Sequence, residues 1–362
     1  MKRILILCTC LTFLTSCADR ETIDEIQVVN SIGYDYIPQS NKVRGTILYP
    51  IYKYGPTEEP SIIAATANSS FDIPLRLNNK SSLPVAFGRA LRSIVMGKKF
   101  ATHGVDELVN TIARNPDLGR NIKLSIADGN AHELLSSVTK KKIKDYQFIS
   151  NLIEQNIRTE NLPNTNLQIF LFSFFSDDRD PYLPVLAQEK DAIKLKGLAL
   201  FKKQKVVTTI GMKETFLFKL LTSGTKHGRY SVKIKESDRK GEIILQNLRT
   251  KTKYEIKGNH QHPSIVAHLT IDGLVKEFPG WIDLTDPANI KMVEKTLQKD
   301  IEKDGDTFIK KLQRHKIDPI CFTDYVRSKT RGFNSEKFKA QYPDMNIEVK
   351  ARVHLIQTGI SN

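Results

Sequence analysis

The sequence predicts a multi-domain protein of mixed α/β and α+β character, in which mixed β-sheets pack with helices. Three observations carry this. Strand and helix patterns alternate from Leu91 to Ile157. A long amphipathic helix is written near residues 287–316, and the chain closes on its cleanest alternating strand, Ile347 to Leu355. A hydrophobic content of 40% with 26% charged residues describes a globular chain with a sizeable core, not a disordered tail.

The first segment stands outside the fold. Lys2 and Arg3 precede an apolar run from Ile4 to Leu14, and Leu14-Thr15-Ser16-Cys17 follows. A basic start, an apolar run too short to span a bilayer and a small-residue cleavage site make residues 1–16 a secretory signal. A cysteine directly after the cleavage site is the bacterial lipobox pattern, in which the thiol receives a diacylglycerol and the new amino group is acylated. Cys17 is therefore the expected lipidation site, and acylated Cys17 the expected link to the lipid bilayer. Two or three acyl chains hold firmly where one binds marginally. The longest later apolar run, Leu167 to Phe175, is too short to cross a membrane and ends in Ser176-Asp177-Asp178.

Cys8 and Cys10 leave with the signal, so no internal disulfide is expected and Cys321 reads as a small buried hydrophobe. The formal charge of +15 loses two with Lys2 and Arg3, leaving +13. Such an excess suits apposition to anionic lipid or cell-wall polymer. Export and the lack of recognition motifs argue against nucleic acid as a partner. The lysine runs at Lys140 to Lys142, Lys202-Lys203 and Lys310-Lys311 are dispersed and read as solvated faces.

Val28 to Tyr36 and Val43 to Tyr52 alternate around the turn Pro38-Gln39-Ser40-Asn41, which predicts a β-hairpin. A short strand follows at Ile62 to Thr66, then a helical stretch from Ser69 to Asn79 that Pro74 disfavours. Leu91 to Met96 reads as a strand. Val105, Leu108, Val109 and Ile112 make one face of a helix, stopped by Asn115-Pro116-Asp117. Ile122 to Ala127 is a strand, Ala131 to Val138 a helix, and Ile149, Leu152, Ile153 and Ile157 mark another helix. Leu167 to Phe175 fits either class, and Asp178-Arg179-Asp180-Pro181 with Pro184 marks a break. The expected division is therefore an N-terminal region over 17–194, subdivided near 137, and a C-terminal α/β domain over 195–362.

The second half opens on a hairpin, Lys196 to Phe201 and Val206 to Ile210, before a short helix near Glu214 to Leu221. Tyr230 to Ile234, Glu242 to Leu248 and Ile265 to Ile271 are strands of one sheet. Asp286-Pro287 starts the long helix by capping free amides and placing proline where no amide hydrogen is needed, with a kink expected at Gly305.

Chemical motifs are sparse. His260 and His262 form a His-x-His without a third ligand at a telling spacing, so no metal is assigned. Ser137 to Lys140 and Ser223 to Lys226 each spell Ser-x-x-Lys, the spacing by which a lysine activates a serine in penicillin-binding proteins. Lys-Thr-Gly and Ser-Asp-Asn are both absent. His103, His227 and His268 have no evident partner, and Asp177-Asp178 with Asp304 and Asp306 read as solvated surface. No catalytic residue, cofactor or ligand-binding residue is assigned.

Several stretches, in order and spacing, carry a resemblance. Cys17-Ala18-Asp19-Arg20-Glu21, Ser31-Ile32-Gly33-Tyr34-Asp35, Arg114-Asn115-Pro116-Asp117 and Asp180-Pro181-Tyr182-Leu183-Pro184 lie in the first half. Leu195 to Phe201, Asp283-Leu284-Thr285-Asp286-Pro287 and Phe338 to Gly359 lie in the second. Together they resemble the C-subunit lipoproteins of endospore germinant receptors, the Ger(x)C family. Two positions depart from its pattern: Ala18 replaces the tryptophan after the anchor cysteine, and Ile320-Cys321-Phe322-Thr323 replaces Phe-Gly-Phe-Gly. The resemblance implies a non-enzymatic subunit on the outer face of the inner spore membrane. It also implies partners: an integral membrane, transporter-like receptor subunit and a second membrane subunit. The competing readings are a solute-binding lipoprotein, which needs a cleft between two comparable lobes, and a wall-modifying serine enzyme using Ser137 or Ser223.

Overall fold

The computed structural model describes residues 25–52, 58–88, 90–141, 143–190, 192–236, 238–258 and 263–356. Cys17, the His260/His262 pair and Thr358-Gly359 lie outside the described residues.

The first hairpin forms as the alternation predicts. Strands β2 (Ser31–Ile37) and β3 (Lys42–Tyr52) are antiparallel, with Tyr36 opposite Val43. Strand β4 (Glu58–Ala67) extends this edge and is longer than its apolar centre suggests. Helix α1 (Ile73–Asn78) forms despite Pro74, because the proline occupies the first turn, where its missing N–H has no partner to lose. A small parallel ribbon of β1 (Gln27–Val28) and β5 (Val85–Ala86) lies outside the main sheet.

The alternating region then builds the sheet centre. In chain order it comprises β6 (Ser93–Gly97), α2 (Lys98–His103), α3 (Asp106–Arg114), β7 (Lys123–Ala127), α4 (Ala131–Lys140) and α5 (Phe148–Arg158). The ambiguous apolar run is a helix, α6 (Leu167–Phe174), started by Asn166, whose side chain accepts from the Ile169 amide. Strand β8 (Tyr182–Gln188) follows. Strands β2, β6, β7 and β8 run parallel and are buried on both faces, as a helix-covered parallel sheet requires. Ile32, Tyr34, Ile94 and Met96 point to the core shared with α1, α2, α3 and α6. Val95, Ala127 and Leu186 point to the core shared with α4 and α5.

The hairpin expected to open the second half joins this first sheet. β9 (Ile193–Lys202) pairs with β8, and β10 (Lys205–Gly211) with β9, giving the order β10-β9-β8-β7-β6-β2-β3-β4. The sheet thus runs unbroken across residue 195, and residue 137 falls within α4.

Helix α7 (Met212–Thr222) leads to the second sheet, β11 (Gly228–Glu236), β12 (Arg239–Gly258), β13 (Pro263–Glu277) and β14 (Ile347–Leu355), in that order. Between β13 and β14 the chain forms α8 (Pro287–Arg314), α9 (Phe322–Lys329) and α10 (Ser335–Gln341). Asp286 caps α8 by accepting from the Ala288 amide at 2.8 Å. The helix is continuous through Gly305, whose missing side chain lets it approach Val349; a Cβ there would stand 2.9 Å from Val349 Cγ2.

Candidate interaction site

In open parallel sheets, ligands favour the crevice beyond the carboxyl ends of the strands, where helix N-termini offer free amides. Here two of those amides are taken from within, while a cleft of about 440 Å³ lined by Ala127, Asp128, Asn130, Leu186 and Gln188 stays open beyond the ends of β7 and β8. Asp35, near the end of β2, accepts from the amides of Ala131 (2.7 Å) and His132 (2.8 Å) at the start of α4. Burial raises the Asp35 carboxyl, while these two amides pull it back down. Gly97 makes room for it: a Cβ there would come within 2.0 Å of Asp35 Oδ1. Gly33 likewise admits α4, since its Cβ would meet Leu135 Cδ1 at 2.9 Å. The Gly33-Tyr34-Asp35 signature is thus a helix-docking device.

The segment read as a break, Asp178 to Pro181, is a lock between the two halves. Asp178 is 5% exposed, which corrects its reading as solvated surface. It accepts from Ser335 Oγ (2.5 Å) and Arg327 Nη1 (2.6 Å) and pairs with Lys339 at 3.1 Å. Burial pushes the Asp178 carboxyl up, but the bonds from Ser335 and Lys339 outweigh it and hold the group below the usual range. Arg327 also binds Asp324, which in turn pairs with Arg179, so charges of alternating sign run across the joint. One step deeper, Asp180 accepts from the Asp318 amide at 2.7 Å. Asp318 accepts from the Phe322 amide (3.0 Å), the Thr323 amide (2.7 Å) and the Thr323 hydroxyl (2.7 Å), capping α9. Burial, reinforced by the nearby Asp180 carboxylate, pushes Asp318 up to about 6.

A third clamp comes from Glu160, at the end of α5. Its carboxylate accepts from the amides of Lys226 (2.7 Å) and His227 (2.8 Å) and from the Thr225 hydroxyl. Apolar packing backs these clamps: Tyr182 of β8 meets Phe218 of α7 edge-on, with ring centroids 4.8 Å apart. The buried carboxylates are paired or multiply hydrogen-bonded, which is the condition for tolerating their burial.

Beside the joint, α6 presents an aromatic face to solvent. Phe172 is 60% exposed and Phe175 58%. The Arg179 guanidinium stands 4.6 Å from the Phe172 ring centroid. A groove of about 560 Å³ follows, lined by Arg120, Leu171, Phe172, Phe175, Arg179 and Arg327. From Phe175 the aromatic packing runs inward through Phe174 and Phe170 to Phe201 of β9. Large exposed aromatics on a rigid helix, rimmed by arginine, have the composition of a protein-binding surface.

Other sequence candidates fall elsewhere. Ser137 is buried and donates to the Leu134 carbonyl at 2.7 Å, while Ser223 ends α7 and its hydroxyl lies 3.5 Å from the Gly224 carbonyl. Cys321 is half-buried rather than a core residue, and it holds a left-handed backbone with φ of 72° before α9. His103 stacks on Tyr36 with ring centroids 4.0 Å apart, and His268 Nε2 lies 2.9 Å from Glu255. Asp304 pairs with Lys213, and Asp306 accepts from the Val349 amide, which corrects both as solvated groups. Lys202 and Lys311 are likewise engaged, with the Lys316 carbonyl and with Glu214. Glu160, Asp180, Asp318, Asp324 and Arg327 were not legible as a unit. The one signal was the clustering of Asp178, Arg179 and Asp180 ahead of Pro181.

Comparison with known proteins places this architecture. Residues 19–188 match the family described as "Spore germination protein N-terminal domain", and residues 196–359 the one described as "Spore germination B3/GerAC like, C-terminal". The chain is 33% identical to spore germination protein GerQC of Bacillus cereus, over 100% of both chains. It is 20% identical to spore germination protein KC of Bacillus subtilis, covering 96% of this chain and 93% of the relative. The fold matches the crystal structure of the GerBC protein with a TM-score of 0.57 at 16% identity, over 90% of this chain and 97% of that one. The chain belongs to the Ger(x)C family of spore germination proteins.

Proposed function

We propose that this protein is a lipoprotein subunit of a nutrient germinant receptor, anchored through acylated Cys17 and working by protein–protein contact rather than by catalysis. Its place is the outer face of the inner spore membrane. Its partners are an integral, transporter-like receptor subunit and a second membrane subunit. Full-length similarity to spore germination proteins supports the receptor assignment. Among the described residues no helix is long and apolar enough to cross a membrane, so attachment rests on the acyl chains and on partners.

The observation that carries the interaction reading is the exposed Phe172/Phe175 face with its arginine rim. Aromatic anchors beside arginine are the residues that dominate protein–protein binding energy. The hydroxyls of Ser137 and Ser223, turned to backbone carbonyls, disfavour the serine-enzyme alternative. The clamped joint disfavours the solute-binding alternative, whose lobes must open and close.

The test is affinity capture of the protein from detergent-solubilised dormant-spore membranes, with partners identified by mass spectrometry. Recovery of a transporter-like subunit with a second membrane protein is the expected result, and Phe172→Ser/Phe175→Ser should reduce that recovery. Capture beside a vegetative-cell transport ATPase and permease instead would overturn the receptor reading.

A further inference from the structure

Helix α1 is apolar on two sides. Ile73 and Leu77 are fully buried against the sheet, whereas Leu75 is 62% exposed and Phe71, four residues before it, 67% exposed. Phe71, in the turn just before the helix, and Leu75, in its first turns, form an exposed apolar pair that no packing among the described residues explains. Arg76 and Lys80 are exposed beside them, Lys80 also donating to the Ala64 carbonyl at 3.1 Å. The nearby acids are engaged, Asp72 with the Ser69 hydroxyl and Glu107 with the Phe71 amide.

The location of this pair is the second observation. The far end of α1 is fixed to the ribbon where the chain enters the fold: Asn78 Oδ1 accepts from the Val85 amide at 2.9 Å, and Val85 pairs with Gln27. The eight residue steps from Cys17 to Glu25 reach at most about 29 Å when fully extended. Phe71 precedes Asn78 by seven residues, two of the steps outside the helix, so the two lie within about 15 Å. A bilayer holding Cys17 therefore lies within reach of α1, whereas the Phe172/Phe175 face belongs to another helix beside the joint.

We propose that the Phe71–Leu75 face of α1 rests on the phospholipid surface and sets the orientation of the protein on the membrane. This rests on the anchored reading above, because the tether brings α1 to the bilayer. Two large apolar side chains reach into the boundary between headgroups and acyl chains, with Arg76 and Lys80 at headgroup level. A single such pair binds weakly on its own; beside a tether it chooses which side faces the membrane.

The test uses the acylated full chain in phosphatidylglycerol–phosphatidylethanolamine vesicles. The photo-cross-linking residue p-benzoylphenylalanine replaces Leu75, or, as control, exposed Lys240 of the β11–β12 hairpin. Lipid adducts at position 75 should exceed those at 240 by roughly tenfold, as interfacial burial of one position and not the other requires. Equal yields at the two positions would overturn the proposal. So would adducts to a protein rather than lipid when the same chain is irradiated in spore membranes. The mass of the N-terminal peptide reads acylation of Cys17 separately. Lipid adducts at 75 with an unmodified Cys17 would keep the docking face and remove the anchor; an acylated Cys17 without adducts at 75 would do the reverse.

Discussion

Asp306 of the long helix accepts a hydrogen bond from the amide of Val349 at 2.8 Å. The same relationship repeats along β14: Glu302 accepts from Ala351 and Glu294 from Leu355, each at 2.9 Å. Among the described residues strand β14 ends the second sheet, so these amides point away from β13 and meet no further strand. Acids on one face of α8 take the place of the missing strand. An open edge invites pairing with another chain, and a helix laid along it removes that template. Asp306→Ala should lower unfolding stability by about 1–2 kcal/mol, the cost of leaving a part-buried amide unsatisfied. Urea denaturation measures this. Glu302→Ala/Asp306→Ala should in addition promote self-association, visible by light scattering.

Asp35→Ala removes the acceptor for two amides at the start of α4 and should cost about 2–3 kcal/mol. Gly97→Ala should be comparably destabilising through a different route, since its Cβ would collide with Asp35. Combining the two should cost less than the sum, because deleting the carboxylate relieves the clash. A double-mutant cycle in urea checks this, and strict additivity would disprove the assigned role of Gly97.

The buried pair Asp180 and Asp318 makes a pH prediction. Asp318 sits near 6, above its ordinary value of 3.8, so the folded protein retains a proton that the unfolded chain releases. Stability from this group is fully present below about pH 4 and is lost as pH rises through about 6, a change of roughly 3 kcal/mol. Carboxylates held below their normal range, such as Asp178 and Glu160, act oppositely below pH 4. Asp318→Asn should flatten the stability profile between pH 4 and 6 and leave the acid limb intact.

Cys321 occupies a left-handed conformation, which strains a residue with a Cβ by about 1–2 kcal/mol. Glycine adopts this conformation without a Cβ penalty. Cys321→Gly should therefore keep or raise the melting temperature despite removing a half-buried side chain. Burial also raises the Cys321 thiol to about 12, so thiol reagents at pH 7 should label it slowly in the folded protein and quickly in urea.

Much of the fold was legible because its elements bury one face each. The alternation of β14 and the spacing of Val293, Leu297, Ile301 and Phe308 along α8 left little choice of class. Strand β12 was legible only in part. From Lys251 to Ile256 its charged residues alternate with Thr252, Tyr254 and Ile256, which are only half-buried, so the hydrophobic signal is faint there. The joint was hidden for another reason. Asp178 is followed by Arg179, Asp180 and proline, a composition that fits a solvated turn, and its partners Arg327 and Ser335 lie about 150 residues away. Nothing local distinguishes a carboxylate that will be buried by a distant helix from one left in water.

The unbroken run of β8, β9 and β10 bears on how such proteins exchange parts. A recombination seam at residue 195, between the two matched family segments, would ask strands from different parents to recognise each other along the whole β8–β9 register. A seam after Gly211 transfers the hairpin with its sheet and leaves side-chain contacts, the three carboxylate clamps and the apolar packing of Tyr182 on Phe218 among them, to be re-matched. Chimaeras between relatives should therefore fold more often with the later seam, and the inherited module is longer than its sequence signature.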